Sequence, residues 1–229
     1  IAAAIAGINQ YSDLFLDTSF NTTVNKLVDV LLESQSDEGW TPEYGGFDTG
    51  YQSITLGWLS DYNSKKKDKR INDALVKIIK FLSNFIHPDG TVGGEYGSRS
   101  TSFLAPHGFA FNIGNTDLAS AVMRKIFIVE DSKINNSIDD RYICHFLLPS
   151  YLLSIKSLTQ PIGQIVDLPH RRNFSKYFND AGIFIQSKPK YYFISGLKKN
   201  GVFQLYNKKG QGSIYDAGYI AKIGKNLAV

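Results

Sequence analysis

One cysteine, Cys144, stands among 229 residues, so no intrachain disulfide forms and a stapled miniature scaffold is excluded. Proline is sparse at seven residues, which leaves no room for an extended proline-rich linker. Long apolar runs are also missing. The stretch from Tyr142 to Leu158 comes nearest but is broken by His145, Ser150, Ser154 and Lys156, short of the ~20 apolar residues a membrane-spanning helix needs. Neither sign of charge dominates, with 25 Lys and Arg against 21 Asp and Glu. The densest basic run, Lys65-Lys66-Lys67-Asp68-Lys69-Arg70, lies between two helical patterns and reads as a solvated loop. The expectation is a soluble protein with no nucleic-acid partner and no membrane insertion. The Ala-rich run Ile1–Ile8 has no basic residues before it and is not read as a signal peptide. Cytoplasm and periplasm both stay open, as does the oligomeric state, and the chain reads as an excerpt of a longer one.

With 43% hydrophobic and 20% charged residues, the composition is that of an ordinary globular protein. The first two-thirds carries the helical period. Val24, Leu27, Val28, Leu31 and Leu32 predict a helix over about Thr23–Ser34, the pattern stopping at Gly39. Tyr51, Ile54, Thr55, Trp58 and Leu59 predict another, with Asp48 as its N-cap. Ile71, Leu75, Ile78, Ile79, Leu82, Phe85 and Ile86 form the clearest apolar face, stopped by His87-Pro88-Asp89-Gly90. Two more helices are expected over about Thr116–Val129 and Arg141–Leu158, the second bent near Pro149.

From Ala181 the period becomes two. Gly182–Ser187, Lys190–Gly196, Val202–Asn207 and Ser213–Ile223 read as antiparallel strands separated by Lys- and Gly-rich turns. The fold class is therefore α+β: a helical domain over 1–160, a linker over 161–180 and an antiparallel sheet or sandwich over 181–229.

A repeat lies within the helical part. Glu38-Gly39-Trp40-Thr41-Pro42-Glu43-Tyr44-Gly45 recurs as Asp89-Gly90-Thr91-Val92-Gly93-Gly94-Glu95-Tyr96-Gly97, each copy following a helix. Helical hairpins repeated this way stack into solenoids or α/α toroids, with the loops of one end lining a shared surface.

The second loop gathers chemistry: Glu95, Tyr96, Arg99 and His107 lie within fifteen residues of glycine-rich chain. The plain alternative is a Glu95–Arg99 ion pair that closes the loop, with Tyr96 packed and His107 capping the next helix. The first loop adds Trp40, Glu43, Tyr44, Asp48, Tyr51 and Gln52. Aromatics beside acids and amides suit a sugar cleft, because a pyranose offers an apolar face and a rim of hydroxyls. The alternative is that Trp40 and Tyr51 are core anchors for the hairpin, Trp40 before Tyr51. Cys144-His145 lacks the further ligands of a zinc site, so a packed thiol beside an ordinary histidine is expected and no metal. His87 is accounted for by its turn. No phosphate loop, dinucleotide fingerprint or nucleophile elbow is present, so no cofactor is expected.

Helical hairpins with Gly-rich, aromatic and acidic loops precede a Tyr- and Phe-rich β region. That region contains Lys198-Lys199-Asn200-Gly201-Val202 and Tyr215-Asp216-Ala217-Gly218-Tyr219. This layout resembles the toroid plus β-sandwich of heparinase-like polysaccharide lyases. The resemblance implies action on an acidic oligo- or polysaccharide by β-elimination at a uronic acid. Three members of that family's Asn, His, Tyr and Arg set fall on this chain: Arg99 would neutralise the substrate carboxylate, His107 remove the C5 proton and Tyr96 protonate the leaving oxygen. Trp40, Glu43, Tyr44, Asp48, Tyr51, Gln52 and Glu95 would bind substrate. Two alternatives stand beside it: a glycoside hydrolase using carboxylates among Glu43, Asp48 and Glu95, and a non-catalytic glycan-binding or assembly module.

Overall fold

The structure is a computed structural model that describes residues 1–127, 133–134, 139, 141, 143–158, 166–209, 212–219, 221–223 and 226–228. Helices come first: α1 (Ala2–Phe15), α2 (Asn21–Ser34), α3 (Thr49–Lys66), α4 (Lys69–Leu82), α5 (His107–Phe111), α6 (Asp117–Phe127) and α7 (Leu148–Ser157). Strands follow: β1 (Phe174–Phe178), β2 (Ile183–Ser187), β3 (Tyr191–Gly196), β4 (Val202–Asn207), β5 (Ser213–Asp216), β6 (Ala221–Ile223) and β7 (Asn226–Ala228). β1 to β5 form an antiparallel meander in chain order, and β6 pairs with β7. The architecture is α+β.

The strongest apolar face behaves as its spacing dictates, with Leu75, Ile78, Ile79 and Leu82 all buried in the helical core. α1 had no expected counterpart. Its inward stripe is Ala2, Ile5, Ala6, Asn9 and Ser12, and the two polar members break the apolar period that would have announced it. The helix expected over Arg141–Leu158 is interrupted by a π-type turn, Ile143–Leu147, just before Pro149. A proline in the first turn of a helix forfeits no hydrogen bond, so α7 starts there. Cys144 on that turn is exposed, not packed. The end of the helix expected to reach Val129 lies outside the described residues.

Within the expected linker, residues 161–165 lie outside the described residues. The remainder holds a 3₁₀ turn, Pro169–Arg171, and all of β1, so the antiparallel region starts at Phe174 instead of residue 181. β1 is an edge strand whose Ser175, Lys176 and Tyr177 are exposed while Phe178 alone is buried. An edge with a charged residue protects against foreign pairing but shows no alternation to read. The single strand expected over Ser213–Ile223 is two strands. Asp216 Oδ1 accepts from the Gly218 N–H at 2.8 Å, and Gly218 takes φ +85°, which turns the chain out of β5.

Helices and sheet share a core. Ile183, Ile185, Tyr192, Ile194, Val202 and Tyr206 on the inner face of the sheet pack against Trp40, Phe47, Phe81, Phe85 and Tyr96 from the helical part. The β1–β2 turn is held from the same side. The Glu38 carboxylate accepts from the backbone N–H of Asp180 (2.9 Å) and Ala181 (3.0 Å) and from Trp40 Nε1 (3.1 Å).

Candidate functional site

The repeat is real at the level of the backbone turn. In the first copy the Ser36 N–H bonds to Trp40 O at 2.9 Å and the Gly39 N–H to Ser36 O at 2.8 Å. In the second, His87 N–H bonds to Thr91 O at 2.9 Å and Gly90 N–H to His87 O at 3.1 Å. Both turns need their glycine, Gly39 at φ +107° and Gly90 at φ +84°. Each turn follows a long helix, α2 or α4, and the two loops then lie side by side. The Ser98 N–H bonds to Phe47 O at 2.8 Å, and the Ser98 hydroxyl donates to Glu43 O at 2.5 Å.

Asp48 joins them. Its side chain is fully buried and caps α3 through the Tyr51 N–H at 3.1 Å. The same carboxylate accepts the N–H groups of Arg99 (3.1 Å) and Thr101 (3.2 Å) and the Thr101 hydroxyl. Every one of these contacts serves loop geometry, so Asp48 acts as a structural pin between the two loops. Gln52, also buried, accepts from Thr41 N–H at 2.8 Å and holds the start of the first loop. Trp40 is 9% exposed in the aromatic core, which settles it as an anchor.

The proposed triad is not brought together. Tyr96 is 3% exposed, and its ring packs at 5.5 Å from Phe85, with its hydroxyl 2.8 Å from His87 Nε2. Burial pushes the phenol well above its ordinary pKa, the reverse of what an acid catalyst needs. His107 is 5% exposed and points into the helical core, where Nδ1 lies 2.6 Å from Ser150 Oγ and the ring sits against Gly57. Burial lowers its pKa to about 4. The two side chains have different surroundings: Tyr96 packs with Phe47 and Phe85 under the sheet, whereas the His107 ring stands edge-on to Trp58 and Phe111. One solvent cleft containing Tyr96, Arg99 and His107 does not form.

What reaches solvent is a smaller group. Arg99 is exposed and lays its guanidinium over the Tyr44 ring, 4.2 Å from the centroid. Tyr44 in turn stands edge-on to Tyr51 at 6.3 Å. Glu95 is exposed and Glu43 half-buried on the same two loops. Among the described residues no carboxylate forms an ion pair with Arg99, so the expected Glu95–Arg99 closure is absent. Tyr44 keeps 70% of its surface in water while its backbone takes φ +51°, and Ser100 beside Arg99 takes φ +56°. A bulky side chain in the left-handed region costs about 1–2 kcal/mol. The two Glu-Tyr-Gly segments thus end differently: one tyrosine is held out in water, the other is sealed in the core.

His87, read from sequence as a turn residue, is the hub of a buried polar network. Nδ1 lies 2.8 Å from Thr91 Oγ1 and 2.9 Å from the Tyr206 hydroxyl, while Nε2 faces Tyr96. The Thr91 and Tyr206 hydroxyls donate elsewhere, to Asp89 Oδ1 at 2.7 Å and Gln204 Oε1 at 2.5 Å. The proton is therefore assigned to Nδ1, and Nε2 accepts from Tyr96. Burial drives His87 down to about 3, so the imidazole is neutral. The signal that pointed to it was available: the histidine occupies the place of Ser36 in the repeated turn. Its partner Tyr206 lies 119 residues away, which no local pattern reveals.

Among the described residues no group of three or more His, Cys, Asp or Glu gathers as a metal site, and no helix is long and apolar enough to cross a membrane. The chain matches no protein-family model, no curated protein and no solved structure.

Proposed function

We propose that the protein is a non-catalytic binding module for an acidic oligosaccharide. In this reading the helical hairpins form a toroid-like array whose paired loops present Arg99, Tyr44 and Tyr51 to the ligand. Arg99 pairs with a uronate or comparable carboxylate, the tyrosines take the apolar faces of the sugar rings, and Glu43 and Glu95 accept from hydroxyls. One observation carries the reading. An aromatic ring and a guanidinium are stacked in solvent on backbone that costs energy to hold, over a buried carboxylate that fixes both loops. Strain of this sort persists where surrounding structure over-determines it, and it concentrates at binding sites. The sealed positions of Tyr96 and His107 weigh against the lyase alternative.

Replacing Arg99 with alanine tests it. Loss of a charge-assisted hydrogen bond costs about 1.5–3 kcal/mol, so affinity for a uronate oligosaccharide falls roughly 10- to 100-fold. Affinity for a neutral oligosaccharide of equal length stays the same, and stability falls by no more than the exposed ring contact is worth, about 0.5–1 kcal/mol. Equal losses for both ligands, or accumulation of unsaturated product with the parent protein, would refute the proposal.

A further inference from the structure

A concave surface elsewhere on the protein uses none of the loop residues. It is a cleft of about 600 Å³ between α6, the Pro169–Arg171 turn and the end of β4. Arg124 and Lys125 reach it from α6, His170 and Arg171 from the turn, and Lys208 from just beyond β4, with Asn173 at its rim. Among the described residues no carboxylate lines it, while Leu168 and Pro189 contribute apolar wall. Arg171 meets Asp167 at 3.7 Å, with both side chains more than half exposed, a contact that water largely screens.

Lys208 and the turn that carries Arg171 are held in place by the fold. Lys208 Nζ donates to Ser187 Oγ at 2.7 Å, and that hydroxyl lies 2.5 Å from Arg172 O and 3.2 Å from His170 O. One serine thereby fixes a lysine of the sheet beside the turn that carries Arg171. His170 is 6% exposed and anchored by Nδ1 donating to Ile86 O at 3.0 Å, which sets the turn against the end of α4's hairpin. Burial brings the His170 pKa to about 4; the bond to Ile86 O opposes this, and the charges of Arg171, Lys125 and Lys208 add to the lowering. Like charges assembled from three separate elements repel one another, and a multivalent anion relieves that repulsion.

We propose that this cleft binds a small phosphorylated molecule, with Arg124, Arg171 and Lys208 around the phosphate and the rest of the ligand along Leu168 and Pro189. Several cations lining one cleft suit a dianion better than a carboxylate, and guanidinium forks match phosphate oxygens in pairs. The volume exceeds what a bare ion fills and lies in the range of small-molecule sites. This site stands apart from the glycan-binding loops and does not rest on that reading.

The test is calorimetric titration of the whole protein with glucose 6-phosphate, glucose and inorganic phosphate. Saturable binding of glucose 6-phosphate is expected, about tenfold or more tighter than inorganic phosphate, with none for glucose. Arg171→Gln combined with Lys208→Gln lowers that affinity about tenfold or more, while Lys69→Gln, a charge change elsewhere, and Arg99→Ala leave it intact. Binding by the unaltered protein stands as a readout even if the double variant fails to fold. No heat with glucose 6-phosphate, equal affinity for inorganic phosphate, or equal weakening by Lys69→Gln would each overturn the proposal. Preference for a single-stranded oligonucleotide over the sugar phosphate, abolished by the double variant, would overturn it as well.

Discussion

Acidification should unfold this protein through three histidines that the fold keeps neutral. His87, His107 and His170 are each at most 6% exposed, and burial brings them from an ordinary 6.5 to about 3, 4 and 4. The direction follows from proton counting. Below pH 6.5 the unfolded chain binds protons at these positions and the folded chain does not, so stability present above that value is lost as pH falls toward the folded pKa. At pH 5 the unfolded form is favoured by 1.5 pH units of protonation at each site, about 2 kcal/mol per histidine. Together the three remove about 6 kcal/mol, a large part of the 5–15 kcal/mol that a domain of ordinary stability possesses. Urea unfolding followed by fluorescence of Trp40 and Trp58 at pH 7, 6 and 5 reads this directly. Below about pH 4, His107 and His170 stop contributing and only His87 continues. The variant His87→Gln removes about a third of the slope, whatever it does to stability at pH 7. A urea midpoint that stays constant from pH 7 to pH 5 would refute the argument, since it would mean that the imidazoles titrate normally and are not sealed.

Asp48→Ala leaves three backbone N–H groups and the Thr101 hydroxyl without their acceptor, so stability falls by roughly 3–5 kcal/mol in chemical denaturation, and Asp48→Asn, which keeps one oxygen, loses less. Tyr44→Gly relieves about 1–2 kcal/mol of left-handed strain while forfeiting exposed ring contacts of about 0.5–1 kcal/mol. Its melting temperature therefore stays level or rises while oligosaccharide affinity drops; a clear fall in melting temperature would show that Tyr44 is structural. Gly57→Ala places a methyl 2.1 Å from His107 Cε1 and Nε2, overpacking that costs about 1–3 kcal/mol. The displaced ring then titrates closer to 6.5, which a proton NMR titration of His107 detects.

Much was legible without coordinates. The change of apolar period from 3.6 to 2 gives helices followed by antiparallel strands. The face Leu75, Ile78, Ile79, Leu82 finds the core because side-chain periodicity is a local property of the backbone. Asp48 could be read as a cap, since a capping bond spans three residues. Acid-Gly in both loops marked turns that require a left-handed glycine, and those turns are equivalent. Only the tertiary structure decided which way each loop side chain faces. Tyr44 and Tyr96 occupy the same place in a repeated motif, yet one is held in solvent by Arg99 and the other is drawn inward by Phe85, His87 and the covering sheet. Nothing within a few residues of either tyrosine differs enough to say so. The sheet covers the second loop from 80 or more residues downstream, and burial, unlike periodicity, is set by whatever the rest of the chain places on top.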